Sequence, residues 1–131
     1  MSDRKQVFTG SPWEPVVGYC RAIRVGNRVE VAGTTAMKGD EVIGEGDAYL
    51  QAKQALATIE GALREVGATL SDVVRTRMFV TDISQWEAIG RAHGEAFRDI
   101  CPVATMVEVK ALIDPRLLVE IEAEAVISEN E

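Results

Sequence analysis

Histidine and cysteine are almost missing from this 131-residue chain, and their scarcity removes several chemistries at the outset. His93 is the single histidine, and no flanking pattern of ligands accompanies it. Neither a metal centre nor a Ser-His triad has the residues it needs. The two cysteines, Cys20 and Cys101, form no Cys-x-x-Cys pair and have no base beside them in sequence. They read as free thiols of a cytoplasmic protein, not as a disulfide or a nucleophile. Positive charge is also short: 14 Lys and Arg stand against 21 Asp and Glu, a net charge of −7. Sequence-independent binding to nucleic acid needs clustered cations, as does docking on anionic lipid, so neither partner is expected. No apolar run approaches the ~18 residues of a membrane span. Met1 to Lys5 is charged with no apolar run behind it, so no signal peptide is expected either.

What is present is enough apolar residue, 47% of the chain, to bury one core, and the length suits one domain over residues 1–131. Residues 1–17 read as irregular, punctuated by Gly10, Pro12 and Pro15. Tyr19 to Val25 and Arg28 to Gly33 flank Gly26-Asn27, the pattern of a tight hairpin. Lys38 to Asp40 reads as a second turn. Asp47 is placed to cap a helix carrying Ala52, Ala55, Leu56, Ile59, Leu63 and Val66 on one stripe and ending at Gly67. A strand follows through Val80, with Val74, Thr76, Met78 and Val80 on one side and Arg75, Arg77 and Phe79 on the other. Ser84 and Glu87 have the spacing of a capping box, and the helix behind them turns Trp86, Ile89, Ala96, Phe97 and Ile100 inward until Cys101-Pro102 stops it. Two strands close the chain. In one, Val103, Thr105, Val107 and Val109 alternate with Ala104, Met106 and Glu108; in the other, Val119, Ile121, Ala123 and Ala125 alternate with Glu120, Glu122 and Glu124.

This order of strands, helix, strand, helix, strands is an α+β arrangement in which two amphipathic helices cover one face of a sheet. The apolar rows are expected under the helices. The uncovered face then carries Arg75, Arg77, Phe79, Ala104, Met106, Glu108, Glu120, Glu122 and Glu124. Such a face is either solvated or packed against another copy of the chain.

Five places in the chain, from Gly18 to Val126, resemble one family. They are Gly18-Tyr19; Gly26-Asn27 with Val31-Ala32-Gly33; Phe79-Val80-Thr81-Asp82; Pro102 to Val109; and Val119-Glu120-Ile121-Glu122-Ala123. Their order and spacing are similar to those of the RidA/YjgF family of small enamine/imine deaminases. The resemblance implies a chorismate-mutase-like mixed sheet of about six strands with two helices packed on one face. It also implies a homotrimer with small-molecule clefts between subunits. Tyr19, Ala104, Met106 and Glu120 match the cleft positions of the deaminases. The implied chemistry needs few groups and no cofactor. A 2-aminoacrylate tautomerises to an imine, and water attacks the imine carbon. An arginine holds the substrate carboxylate as a bidentate pair, a carboxylate at the Glu120 position orients or activates the water, and the tyrosine lines the cleft.

The chain departs from that pattern where the arginine belongs, because Ala104 stands there. Losing a desolvated charge-assisted bond costs ~2–5 kcal/mol. Met106 replaces a smaller residue and reshapes the pocket floor. The Gly10-Ser11-Pro12-Trp13-Glu14 opening resembles a divergent branch that also lacks the arginine. Arg77, and behind it Arg21, are the candidates to replace the clamp; Arg75 and Arg77 serve equally well as counter-charges to Glu122 and Glu124. Trp13 is either a packing anchor or a wall of the cleft. Three functions fit these features: hydrolysis of an imine or enamine other than the usual one, non-catalytic binding of a metabolite or shielding of another protein, and the ribonuclease or translation-inhibitor activity attached by name to some relatives. Net acidity and the lack of a histidine cluster speak against the third.

Overall fold

The computed structural model describes residues 4–128. Strands β1 (Arg4–Val7), β2 (Ala22–Val25), β3 (Arg28–Thr34), β6 (Val73–Val80), β7 (Val103–Glu108) and β8 (Val119–Val126) form one six-stranded sheet in the order β1-β2-β3-β8-β6-β7. All neighbours are antiparallel except β6 and β7, which run parallel. Parallel neighbours need a crossover, and helix α3 (Trp86–Phe97) supplies it. A small hairpin of β4 (Met37–Lys38) and β5 (Glu41–Val42) turns at Gly39, and helix α2 (Ala48–Glu65) follows.

Helix α2 starts where the Asp47 side chain accepts the Leu50 N–H, satisfying one of the donors a helix leaves orphaned at its first turn. It ends where Gly67 takes a left-handed φ of 88°, letting the Ala68 N–H reach the Leu63 carbonyl. The Arg24 guanidinium adds a bond to the Val66 carbonyl at 2.7 Å. Between the ends, Ala52, Ala55, Ile59 and Leu63 are buried against β3 and β8. Each large side chain buried there contributes about 1.5–3 kcal/mol, and the alanines let the helix lie close to the sheet. Gln51 is fully buried in this layer without an orphaned atom. Its amide donates to the Gly44 and Arg116 carbonyls and its oxygen accepts the Leu118 N–H, tying the loop before α2 and the loop before β8 to the helix.

Four local readings are corrected. The described part of the first seventeen residues is not irregular: β1 pairs with β2, and α1 (Trp13–Val17) forms a short helix ending at Gly18, whose φ is 86°. Val74 does not join Thr76, Met78 and Val80, because one extra residue bulges out of β6 between Val73 and Arg75; Val73 takes the buried place and Val74 is exposed. Ser84 is not the cap of α3. Asp82 accepts the Ser84 N–H and hydroxyl and caps a 3-10 turn over Ile83–Gln85, so Trp86 becomes the first residue of α3 and stays 56% exposed instead of packing inward. The fourth correction concerns β7 and bears on the site.

Candidate functional site

The face of the sheet away from α2 and α3 carries the charged row. Register places Phe79 beside Glu120, Arg77 beside Glu122 and Arg75 beside Glu124. That much follows the alternation read from the sequence. The neighbouring edge strand does not. Thr76 pairs with Ala104 and Met78 with Met106, while Arg77 pairs with Thr105 and Phe79 with Val107. Paired residues point to the same side of a sheet, so Ala104, Met106 and Glu108 lie on the helix side, and Val103, Thr105 and Val107 on the open face. Met106 packs against the core, and Ala104 is exposed beyond the helix cover. The expectation that Ala104 and Met106 share a face with Glu120 is therefore overturned. Alternation fixes which residues of a strand share a side, but not which side meets the core. At an edge strand poor in helix cover, the valine row was not the buried one.

Arg77 consequently does not look toward Ala104. Its guanidinium lies 3.0 Å from Glu124 and 3.5 Å from Glu122. The Glu124 hydrogen bond is the largest of the influences that hold the arginine above its ordinary range, and burial opposes it. Arg77, Glu30, Glu122, Glu124 and Ile23 line a hollow of about 230 Å³ on the open face. The arrangement is a counter-charge network across adjacent carboxylates, the structural one of the two roles open to Arg77 from the sequence.

The carboxylate of Glu120 stands apart from that network. It lies over Gly33, where an added β-carbon would collide with Oε2 and crowd the carboxyl carbon at 2.8 Å. Partial burial is the main influence raising its pKa; the negative charge of Glu122 adds to it, and the positive charge of Arg21 opposes both. Gly33 owes its position to a bulge. The β3–β8 register shifts by one residue between Val31 and Thr34, so Ala32 and Gly33 share the space of a single partner. Arg21 binds the bulge through its guanidinium. Its Nη1 donates to the Gly33 carbonyl, to Thr34 Oγ1 at 3.1 Å and to the Ala32 carbonyl at 3.5 Å. Nη2 reaches the Tyr19 hydroxyl at 3.4 Å, and the guanidinium carbon sits 5.6 Å from the centre of the Tyr19 ring. Tyr19, Arg21, Gly33 and Glu120 are thus brought together, whereas Arg77, Ala104 and Met106 lie elsewhere in the same chain.

One carboxylate in this region was not singled out as a site residue. Glu14, in α1, is 4% exposed. It accepts the Thr9 hydroxyl at 2.7 Å, the Thr9 N–H at 3.1 Å and the Gly10 N–H at 3.3 Å. Burial acts to raise its pKa, but these bonds and the charge of Arg21 outweigh burial and lower it. The available signal was the Thr-Gly pair four to five residues before it, in a segment too rich in proline to place Glu14 on a periodic face. The carboxylate folds the arm back so that Phe8, Pro12, Pro15, Tyr19 and Ile23 line a second hollow of about 710 Å³. Trp13 is half exposed and lines neither hollow. Glu120 lines neither of them as well.

The family described as endoribonuclease L-PSP matches residues 9–127. The chain belongs to the YjgF/RidA family. A crystal structure of a YjgF/YER057c/UK114 family member from Mycobacterium tuberculosis superimposes with a TM-score of 0.86 at 53% identity, covering 95% of this chain and all of that one. The six-stranded chorismate-mutase-like fold of the family is thereby established here. An uncharacterized protein of Streptomyces coelicolor is 46% identical over 121 residues, 92% of this chain and 90% of the relative. A 3-aminoacrylate deaminase, RutC, of Acinetobacter baylyi is 32% identical over 113 residues, 86% of this chain and 88% of the relative. No helix among the described residues is long and apolar enough to cross a membrane.

Proposed function

We propose that this family member adds water to the carbon of an imine or enamine, releasing the nitrogen, on a substrate without a carboxylate in the usual place. The observation that carries this reading is the Glu120 carboxylate. It is half-buried, set over Gly33, raised in pKa by burial and close to the Tyr19–Arg21 pair. A carboxylate held there is suited to orient a water and to take its proton as the carbon–oxygen bond forms. Similarity to a 3-aminoacrylate deaminase supports the reaction class. Ala104, at the position of the family's carboxylate clamp, argues for a different substrate.

The cleft lies between copies of the chain in a homotrimer built on the open face. Its support is that face itself, where Phe79, Val103 and Val107 stand among the charges without helix cover. Glu120 lines neither hollow of the single chain, and Ala104, on the other side of the sheet, comes near it only from a second copy.

Two measurements test the reading. Light scattering coupled to size exclusion gives three chain masses on this proposal; a stable monomer at micromolar concentration removes the cleft. A panel of imines, made by amino-acid and amine oxidases and followed by decay, gives turnover of a carboxylate-free member above that of 2-iminopropanoate, and Glu120→Gln abolishes it. Binding of the panel without turnover makes the protein a metabolite-binding module. Degradation of RNA by highly purified protein, lost in the same variant, points instead to the activity in the family's name.

A further inference from the structure

Arg21 does not have the surroundings of a substrate clamp. A clamp presents a free fork of donors to a carboxylate. Here one arm of the fork, Nη1, is committed to three oxygens of the same chain, at Ala32, Gly33 and Thr34. The neighbouring acceptors are also internal: Thr34 Oγ1 donates onward to the Ala32 carbonyl at 2.7 Å, and the Ala32 N–H returns to the Arg21 carbonyl at 2.9 Å. Thr34 is buried. All three Nη1 bonds close on the β3 bulge, Ala32 and Gly33, and on Thr34 beside it, while Nη2 reaches the Tyr19 hydroxyl.

The bulge has one visible consequence on the open face. It sets Gly33 under Glu120, at the one place where a missing side chain lets the carboxylate lie flat against the strand. We propose that Arg21 is a positioning residue for Glu120: it locks the bulge in the shape that leaves room for the carboxylate above Gly33, and it places an opposite charge beside that carboxylate. This role rests on the reading of Glu120 as the water-handling group, but its physical content stands without it.

The charged and titratable groups around the pair come from three directions. Glu122 follows Glu120 on β8 and repels it. Tyr19 touches Arg21 from the segment before β2, and Glu14 faces Arg21 from α1. On β6 the neighbour of Glu120 is the neutral Phe79, and Arg77 is occupied by Glu122 and Glu124. Arg21 is thus the cation that Glu120 feels.

The experiment is a carboxyl-carbon NMR titration of the full chain, with the Glu120 signal assigned by its loss in Glu120→Gln. Wild type is compared with Arg21→Met and Arg21→Lys. In Arg21→Met the Glu120 midpoint rises, because the one influence that lowers it is gone, and the Ala32, Gly33 and Thr34 amide signals move together. Lysine restores most of the midpoint, since it returns the charge. It does not restore the amide signals in full, since a flexible lysine stem lacks the planar fork whose second nitrogen, Nη2, rests on Tyr19. If the methionine variant does not fold, the lysine variant alone decides by this split. An unchanged Glu120 midpoint in a folded variant overturns the proposal. So does a pyruvate-induced shift of the cleft signals that vanishes in Arg21→Met while the Glu120 midpoint stays put, because Arg21 is then a clamp. Imine turnover is measured in parallel on wild type. If it is absent while the titration behaves as stated, the proposed reaction fails and the positioning role survives; the reverse pattern separates them the other way.

Discussion

The carboxylate of Glu120 occupies the space that a side chain at position 33 would fill. Gly33 is therefore a condition on Glu120. In Gly33→Ala the added methyl meets the far end of a flexible side chain, which swings away instead of forcing the backbone apart. The cost in stability is small, under ~1 kcal/mol, against the ~1–3 kcal/mol of overpacking in a rigid core. The cost in function is large, because the carboxylate leaves its place. The variant is expected to unfold within a few degrees of wild type by circular dichroism and to lose imine turnover by at least ~10-fold. Equal turnover would show that Glu120 acts from some other position, or not at all.

Glu14 holds the arm by three bonds from Thr9 and Gly10. Glutamine can accept at one atom only, so Glu14→Gln leaves donors unpaired at a cost of ~1–3 kcal/mol, confined to the arm. Amide hydrogen exchange at Thr9 and Gly10 should accelerate while that of β8 stays unchanged. Acidification mimics the substitution. The carboxyl has a folded pKa below its ordinary 4.5. Its stabilisation is full above that ordinary value and is lost as pH falls through the folded one. Exchange at Thr9 should rise in wild type below about pH 4.5, and stay flat with pH in the glutamine variant.

His93 gives a second pH signature in a separate window. Burial holds its pKa below the ordinary 6.5, and its Nε2 is 2.8 Å from Thr76 Oγ1. The unfolded chain therefore binds more protons at mildly acidic pH, and stability falls as pH drops below the ordinary value. Glu120 works the other way, because a raised folded pKa favours the folded state at low pH and loses that contribution as pH rises. Urea midpoints between pH 7 and 5 are best compared in a Glu120→Gln background, with and without His93→Gln. The slope belongs to His93 only if the second substitution removes it.

The parts of the fold that were legible in the sequence are those where local chemistry and burial agree. Asp47 and Gly67 mark α2 because capping and left-handed backbone have specific residue demands, and the β8 alternation of apolar residues with Glu120, Glu122 and Glu124 is unbroken. The failures share a cause. Bulges at Val74 and at Ala32–Gly33 insert a residue without any signature in a single sequence, and each changes which side chains face which layer. At β7 the apolar valines lie on the open face and the flexible Met106 on the core, because an edge strand answers to its register with β6 and not to a rule that valine goes inside. Gln51 and Glu14 are buried polar groups whose partners are backbone atoms of distant or irregular segments, which no periodicity announces.

Ala104 bears the most direct test of what has changed relative to deaminating relatives. It sits on edge strand β7, on the helix side but beyond the helix cover, and its register partner Thr76 is already satisfied by His93. An arginine there has no counter-ion in its register partner Thr76 and extends into the space at the sheet edge. Being exposed in the single chain, the substitution is expected to leave stability nearly unchanged. If the missing clamp is the main departure, Ala104→Arg gains 2-iminopropanoate turnover by on the order of 10²-fold, the equivalent of the ~2–5 kcal/mol lost with a desolvated charge pair. The gain should appear in KM with kcat little changed, since a carboxylate clamp binds ground state and transition state alike. A folded trimer of Ala104→Arg without that gain would place the cause at Met106. There the flexible side chain packs on the core beside Met78, and the double variant with Met106→Cys would then be required to recover turnover.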